Sequence, residues 1–284
     1  MSSNLVVQTN ILALNSHRNL KNIGILQSQA SEKLSSGYRI NRAADDAAGL
    51  AISEKMRAQV RGLDQASRNT QDGISMIQTA EGGLIEIDNM IQRIRELTVQ
   101  GANDSNEAED REKITKEITQ LAEEIGKTAE KVEFNKKKVL DVADAGFIFS
   151  DDMNFQVGAN EDQLLAVGSH ALDLAAMSSD LAALWTDSDA SSDISATISD
   201  IDVHLTSVVD ARAQLGAVQN RLEYTMRQLD NSSENISAAE SRIKDADMGK
   251  EMMKLTKANI LQQAGVAMLA QANTNPQSVL QLLR

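Results

Sequence analysis

The chain has 284 residues, one proline, no cysteine and only 2% aromatic residues, which favours long helices over a compact core built from bulky rings. The lack of cysteine excludes disulfides and thiolate metal sites, and the net charge of −13 disfavours nucleic acid and anionic membranes as partners. Residues 1–16 lack the features of a Sec signal peptide, and no apolar run approaches the roughly 20 residues of a membrane span. On these grounds alone a cytoplasmic location is expected.

The first predicted helix runs from Leu5 to Leu34 and is weakly amphipathic. Asparagine, glutamine and serine flank its apolar stripe, which is thin and consists of Leu20, Ile23, Ala30 and Leu34, with Gln27 in the step between. Such a helix buries little when alone, so it should need a partner. Gly37 is predicted to end it.

Two stronger helices follow. The pattern resumes at Leu50, and a short loop from Gly101 to Asn106 separates this helix from the next, which extends to about Val132. Asn106 is predicted to be the N-cap, with Glu109 as its capping-box partner. Because the loop is short, the two helices should pack antiparallel. Their heptad seams are Leu84, Ile87, Ile91 and Ile94 in the first helix, and Ile114, Ile118, Leu121 and Ile125 in the second.

Residues 141–193 differ from the helical segments on either side in composition and in hydrophobic pattern. Two short aromatic and β-branched runs, 147–149 and 154–160, flank Ser150-Asp151-Asp152, which predicts a β-hairpin. Residues 164–168 are a candidate third strand. Segment 171–193 is rich in alanine, serine and aspartate, has no strong period, and is predicted to lie at the surface.

Heptad spacing returns at Ile194 and continues to Leu229, which predicts a long helix. The final segment, from Met248 onward, is as weakly amphipathic as the first. The two ends are therefore predicted to pair as a two-helix coiled coil that leaves apolar strips exposed, and such strips usually mark an interaction site. A head-to-tail contact whose rotation does not close would build a helical filament, with the ends becoming ordered on assembly.

Long stretches of the chain resemble bacterial flagellin, the subunit of the flagellar filament. In the N-terminal half they include 34–41 (LSSGYRIN), 45–63 (DDAAGLAISEKMRAQVRGL), 65–82 and 91–103. In the C-terminal half they are 211–223, 237–248 and 259–284. Together these stretches cover well over half of the chain.

The resemblance implies a mostly α-helical fold in three parts. Residues 1–44 with 244–284 would form a terminal coiled-coil layer lining the inner tube. Residues 45–140 with 194–243 would form a central helical layer, and 141–193 a short outer β-hairpin region. The implied function is that of a structural subunit, not an enzyme, that self-assembles into the extracellular filament used for swimming. It would need no cofactor and would leave the cell unfolded through the flagellar type III channel.

The resemblance also implies partners. Besides copies of itself, these are the hook-associated junction and cap proteins, and an export chaperone that binds the C-terminal segment. Packing inside the inner tube is implied for Leu12, Leu20, Ile23, Leu34, Leu261, Met268, Leu280, Leu282, Leu283 and Arg284.

The innate-immune epitope of the family falls on segments 92–100 and 116–121. This implies a contact of the monomer with Toll-like receptor 5 through Gln92, Arg93, Leu97, Gln100 and Glu117. The same residues could instead make axial contacts between subunits. Both roles are compatible, because an epitope covered in the filament is exposed in the monomer.

The residues offer no enzymatic chemistry. Neither a GxSxG nor a P-loop motif is present, and His17, His170 and His204 have no metal-ligand spacing. Asp45 and Asp46 are interpreted as acids at a helix N-terminus. Two alternatives to flagellin are a hook–filament junction protein and a monomeric helical binding module or secretion-system tip protein. The block 45–63 and the terminal QLLR favour flagellin itself.

One residue departs from the family pattern. Flagellins usually have glycine after the asparagine of EFN, whereas this chain has Lys136. If the turn requires positive φ, either Asn135 supplies it or the turn differs.

Overall fold

A computed structural model of the chain describes residues 10–103, 105–140, 147–148, 153–167, 170–183 and 191–282. Within these residues, six helices carry most of the chain: α1 (Ile11–Ser36), α2 (Ala47–Gly101), α3 (Ala108–Lys131), α4 (Leu174–Ala183), α5 (Ser191–Lys244) and α6 (Met248–Leu282). Six short strands form three antiparallel pairs. The predicted fold class, long helices with a small β region, is confirmed.

The chain divides into two compact units, Met1–Ala58 with Asn235–Arg284, and Gln59–Glu234. The predicted boundaries of the three parts remain predictions. No helix within the described residues is both long enough and apolar enough to cross a membrane.

The first unit pairs α1 with α6 in antiparallel orientation. The side chain of Asn10 caps the start of α1 by accepting a hydrogen bond from the Ala13 N–H. Gly37 ends the helix with φ of 76°, as predicted, because glycine tolerates the left-handed conformation. Beyond it, the Arg39 N–H donates to the Lys244 carbonyl at 2.7 Å, and the Ala246 N–H donates to the Gly37 carbonyl at 2.8 Å. These two hydrogen bonds join the loop that follows α1 to the short segment that connects α5 with α6.

The second unit has one hydrophobic core, to which α2, α3, α4, α5 and the strands contribute. The predicted seam of α2 is buried at all four positions, and that of α3 at three, with Leu121 half-buried. The residues of α5 that are buried in this core are Ile201, Val208, Ala211, Leu215 and Leu222.

The strand pairing differs from the prediction. The strands are β1 (Glu133–Phe134), β2 (Lys137–Lys138), β3 (Phe147–Ile148), β4 (Met153–Gln156), β5 (Leu164–Val167) and β6 (His170–Ala171). The predicted hairpin between 147–149 and 154–160 is wrong, since β3 pairs with β6 and β4 pairs with β5.

The reason for the β4–β5 pairing lies in the loop between the two strands. The Gln156 amide donates to the carbonyls of Gly158 and Asn160, and Asp162 adopts a φ of 64°. The loop therefore turns the chain back on itself after β4. Residues 149–152, where the turn was predicted, lie outside the described residues.

Two further expectations need correction. Segment 171–193 contains α4, and its residues Leu174, Met177 and Leu181 are buried and not at the surface. The N-cap of α3 is Glu107, whose side chain makes no capping bond. Asn106 instead donates to the Gln100 carbonyl at 2.6 Å and closes the loop between α2 and α3.

Candidate assembly interface

The contact between α1 and α6 is built from small and amide side chains. Its buried residues include Ala30, Ala258 and Ala272. A Cβ added at Gly265 would lie 3.3 Å from Leu20 Cδ1, so glycine allows the helices to approach closely there. The Gln27 amide donates to Asn259 Oδ1 at 2.8 Å. Because so little large apolar side chain is buried, this pair gains little stability from its own contact.

Many large apolar side chains of α1 and α6 remain exposed. Leu12 is 65% exposed and Met268 is 64% exposed. Exposed apolar residues in such number mark a surface that binds a partner. We call this set the apolar outer surface, which consists of Ile11, Leu12, Leu14, Ile25 and Leu26 in α1, and Met248, Met252, Met253, Ile260, Leu261, Val266 and Met268 in α6.

A groove of about 290 Å³ lies between the two helices. Its apolar lining includes Ile23, Leu26, Ala30, Ala258 and Leu261, and its polar lining includes three lysines, Lys33, Lys254 and Lys257, and Glu251. Lys254 donates to Glu251 Oε1 at 2.6 Å. The groove can therefore take an apolar side chain, with cationic groups beside it.

The predicted inner-tube residues differ in their exposure and in whether the structure describes them. Leu20, Ile23 and Leu34 are half-buried, whereas Leu12, Leu261 and Met268 are exposed in the single chain. Leu280 and Leu282 belong to α6, and Leu283 and Arg284 lie outside the described residues. Their packing role stays a prediction. Ala30 lies on the predicted apolar stripe and is buried, whereas Ala258, Gly265 and Ala272 of the α1–α6 contact were missed, although their helical spacing could have indicated them.

A second set of predicted residues lies in the second unit. Arg93 Nη2 lies 3.0 Å from Glu117 Oε1, and Arg93 Nη1 lies 3.1 Å from Glu96 Oε2. Hydrogen bonds to Glu117 first, and then to Glu96, raise the pKa of Arg93. Gln92 and Gln100 are exposed. These four predicted residues can therefore contact a partner at the surface.

Leu97 does not share this exposure. It is 2% exposed and belongs to the core of the second unit. In the folded unit its side chain is therefore covered by other residues, and the implied contact of Leu97 with a receptor stays a prediction. The receptor role of the other residues stays a prediction.

The described residues contain no cluster of three or more histidine, aspartate or glutamate side chains that could bind a metal ion.

Comparison with known proteins decides the family. The family model for the bacterial flagellin N-terminal helical region matches residues 7–144, and that for the C-terminal helical region matches residues 198–283. The chain belongs to the bacterial flagellin family. It is 53% identical over 281 residues to the flagellin of Halalkalibacterium halodurans, with 99% of this chain and 100% of the relative covered. Flagellins are structural subunits of the extracellular flagellar filament and not enzymes.

Two further relatives agree with this assignment. The flagellin of Bacillus subtilis is 48% identical over 302 residues, covering 98% of this chain and 99% of that protein. A 33 kDa core protein of the flagellar filament of Treponema phagedenis is 46% identical over 288 residues, covering 99% and 100%. A solved structure from Vibrio parahaemolyticus, provisionally described as a flagellar hook-associated protein, has a TM-score of 0.55 and 11% identity, covering 71% of this chain and all of that one. At that identity the likeness concerns the fold of this flagellin alone.

Proposed function

We propose that this flagellin polymerises by burying its apolar outer surface against neighbouring copies, so that α1 and α6 line the inner tube of the filament. The observation that carries the proposal is the exposure of large side chains such as Leu12 and Met268, while alanines fill the contact between the helices. Burying one leucine or isoleucine side chain completely is worth about 1.5–3 kcal/mol. A few such residues per contact therefore suffice to hold a subunit in a polymer.

The same surface fits the remaining partners that the family implies. Hook-associated junction proteins and a cap protein would cover it at the two ends of the filament. An export chaperone would cover the methionine-rich part of α6, including Met252 and Met253, before assembly. Export through the flagellar type III channel requires an unfolded chain, and the small apolar area between α1 and α6 keeps the cost of separating them low.

Seeded elongation tests the assembly proposal. Purified monomer is added to short filament fragments, and growth is followed by light scattering. Leu261→Gln combined with Met268→Gln should abolish elongation while circular dichroism shows unchanged helicity. Val203→Gln, on a 60% exposed residue of α5 in the second unit, is the matched control and should elongate. Normal growth of the Leu261/Met268 variant would contradict the proposal.

Truncation gives a second test of the same assembly. Removal of residues 1–40 or 245–284 should leave a soluble, helical, monomeric core, because the second unit contains its own hydrophobic core. Filaments of native geometry grown from either truncated chain would exclude the terminal helices as the assembly surface.

A second function is supported by the exposed pair of Arg93 and Glu117. We propose that the monomer is bound by Toll-like receptor 5 at a surface formed by Gln92, Arg93, Gln100 and Glu117, with the buried Leu97 supporting it. Arg93→Ala should lower receptor activation by purified monomer about tenfold, since an interfacial arginine is often worth more than 1 kcal/mol. Arg95→Ala is the control, because Arg95 makes a comparable exposed pair with Asp202 at 2.7 Å. Equal loss in both variants would count against the surface.

A further inference from the structure

The exposed apolar residues of α6 differ in kind from those of α1. The five members of the apolar outer surface in α1 are isoleucines and leucines, whereas four of the seven members in α6 are methionines, namely Met248, Met252, Met253 and Met268. We call these four the α6 methionines. They are four of the 11 methionines in the chain, although α6 has only 35 of its 284 residues. The thioether side chain is therefore concentrated on one helix of the surface.

The sulfur atoms of the α6 methionines are open to reagents in the single chain. Each of the four residues is between 47% and 68% exposed. Met76 and Met177, by contrast, are buried in the core of the second unit. The chain contains no cysteine, so methionine sulfur is its most readily oxidised group. Because oxidation follows exposure, an oxidant should react first at the α6 methionines.

Oxidation would reverse the polarity of these side chains. The thioether sulfur attacks one oxygen of hydrogen peroxide, the S–O bond forms as the O–O bond breaks, and the other oxygen leaves as water. Sulfur loses two electrons and the peroxide gains them. The sulfoxide product is polar and accepts hydrogen bonds from water. Burying this oxygen against leucine and isoleucine, without a donor, costs free energy.

We infer that the α6 methionines form an oxidation site at which peroxide prevents this chain from joining a filament. The inference rests on the proposed self-assembly, because the sulfoxides matter only where a neighbouring copy covers these side chains. Peroxide acts on the monomer, whose sulfur atoms are exposed, whereas a neighbour shields them after assembly. Oxidation therefore stops growth and leaves existing filament in place. Methionine sulfoxide reductases reverse the change.

A competition between subunits tests the inference without any substitution. Full-length monomer is treated with limiting hydrogen peroxide, catalase removes the remainder, and seeds are added that take up only part of the monomer. Mass spectrometry of the sedimented filaments and of the remaining monomer then gives the oxidised fraction at each methionine. Sulfoxides of the α6 methionines should be about tenfold rarer in the filaments than in the remaining monomer. Sulfoxides at Met56 and Met226, half-buried residues outside the apolar outer surface, are the internal control and should be evenly distributed.

Substitution provides a second test. Leucine is apolar, has a similar volume and cannot be oxidised, so one variant combines Met248→Leu, Met252→Leu, Met253→Leu and Met268→Leu. The control variant combines Met56→Leu with Met226→Leu. Each elongation rate after peroxide is divided by the rate of the same chain before treatment. This ratio should stay near one for the α6 variant and fall about tenfold for the control variant and the unaltered chain.

Three results would overturn the inference: an even distribution of α6 sulfoxides between filament and monomer, an equal slowing of both variants, or a rate of the oxidised chain that reductases for both sulfoxide epimers do not restore. Oxidation of assembled filaments separates this failure from that of the proposed self-assembly. If the α6 methionines react as fast in filaments as in monomers, no neighbour covers them, and the proposed assembly surface fails together with the inference. Protection in the filament, combined with even incorporation of oxidised subunits, defeats the inference alone.

Discussion

Arg212 of α5 pairs with Asp88 of α2 in the second unit, with Nη1 donating to Asp88 Oδ2 at 3.3 Å. Asp88 is 9% exposed. Among the described residues, Asp88 Oδ1 and Arg212 Nε are buried without a hydrogen-bond partner. The Arg212 side chain is 31% exposed, so the pair is only partly buried. An incompletely bonded pair of this kind adds little net stability, yet removing one partner leaves the charge of the other without compensation.

Asp88→Ala should therefore lower the free energy of unfolding by about 2 kcal/mol. Asp88→Leu combined with Arg212→Met should cost less than that single change, because it removes both charges from the core. Urea denaturation of the unaltered chain, Asp88→Leu, Arg212→Met and the double variant measures the coupling. Arg95→Ala, which breaks the exposed pair with Asp202, should change stability by under about 0.5 kcal/mol. Additive costs for Asp88 and Arg212 would refute the coupling.

Two adjacent glycines of α2 should respond oppositely to alanine. A Cβ at Gly83 would lie 2.8 Å from both Leu140 Cδ1 and Val132 Cγ2, whereas nothing lies within 4 Å of a Cβ at Gly82. Gly82→Ala should stabilise the chain by about 0.5–1 kcal/mol through helix propensity. Gly83→Ala should destabilise it by about 1 kcal/mol, since overlap in a packed core outweighs that gain. Thermal unfolding of the two variants provides the comparison, and a shift of the same sign in both would contradict the packing around Gly83.

The turn at Asn135 and Lys136 predicts a stabilising change. Lys136→Gly should raise the free energy of unfolding by about 1 kcal/mol, because glycine has no Cβ to oppose the φ of 65°. Lys136→Ala keeps the Cβ, removes the charge, and should show no such gain. Chemical denaturation of the unaltered chain, Lys136→Gly and Lys136→Ala separates the effect of the backbone conformation from that of the charge. Equal stability of the glycine and alanine variants would mean that the charge, and not the backbone, sets the effect.

The loop before α2 should be sensitive to acid through Asp45. Hydrogen bonds from the N–H groups of Arg42 and then Asn41, both 3.1 Å from Asp45 Oδ2, lower the pKa of this carboxyl below its ordinary value of 3.8. A pKa that is lower in the folded state adds stability above the unfolded value of about 4, and this stability is lost as the pH falls through the folded pKa.

Titration of the carboxyl carbon by NMR should therefore give a midpoint for Asp45 under 3.8. Asp45→Asn should lose stability less steeply than the unaltered chain as the pH falls from about 4 to 2. Asp72→Asn, on an exposed residue of α2, serves as the control and should keep the steep dependence. A midpoint at or above the ordinary value would refute the stabilisation of the Asp45 carboxylate by these two hydrogen bonds.

The sequence predicts the helices of the second unit because large apolar residues repeat there at heptad spacing. Leu84, Ile87 and Ile91, for example, are all fully buried. The α1–α6 contact was harder to define, since its buried residues are alanines and its larger side chains, such as Leu261, remain exposed. A hydrophobic pattern identifies which residues avoid water, but not whether the same chain or another copy covers them.

The strand pairing and α4 were hard to predict from the sequence for a different reason. Strands of two to four residues contain too few side chains to fix a register, so loop geometry decides the pairing. The loop around Gly158 and Asp162 depends on side-chain bonds such as that from Gln156 to the Asn160 carbonyl, which no periodicity reveals. In α4, ten residues span fewer than three turns, too few to establish a period.

The hydrogen bond between Gln27 and Asn259 joins positions 232 residues apart in the chain. During synthesis α1 is made before α6, so α1 cannot pair with α6 while the residues between them are being made. Contacts between such distant positions form late, after the intervening helices have had time to collapse. Throughout that interval α1 has no α6 beside it, and factors that act on nascent polypeptides can reach α1 before the pair forms.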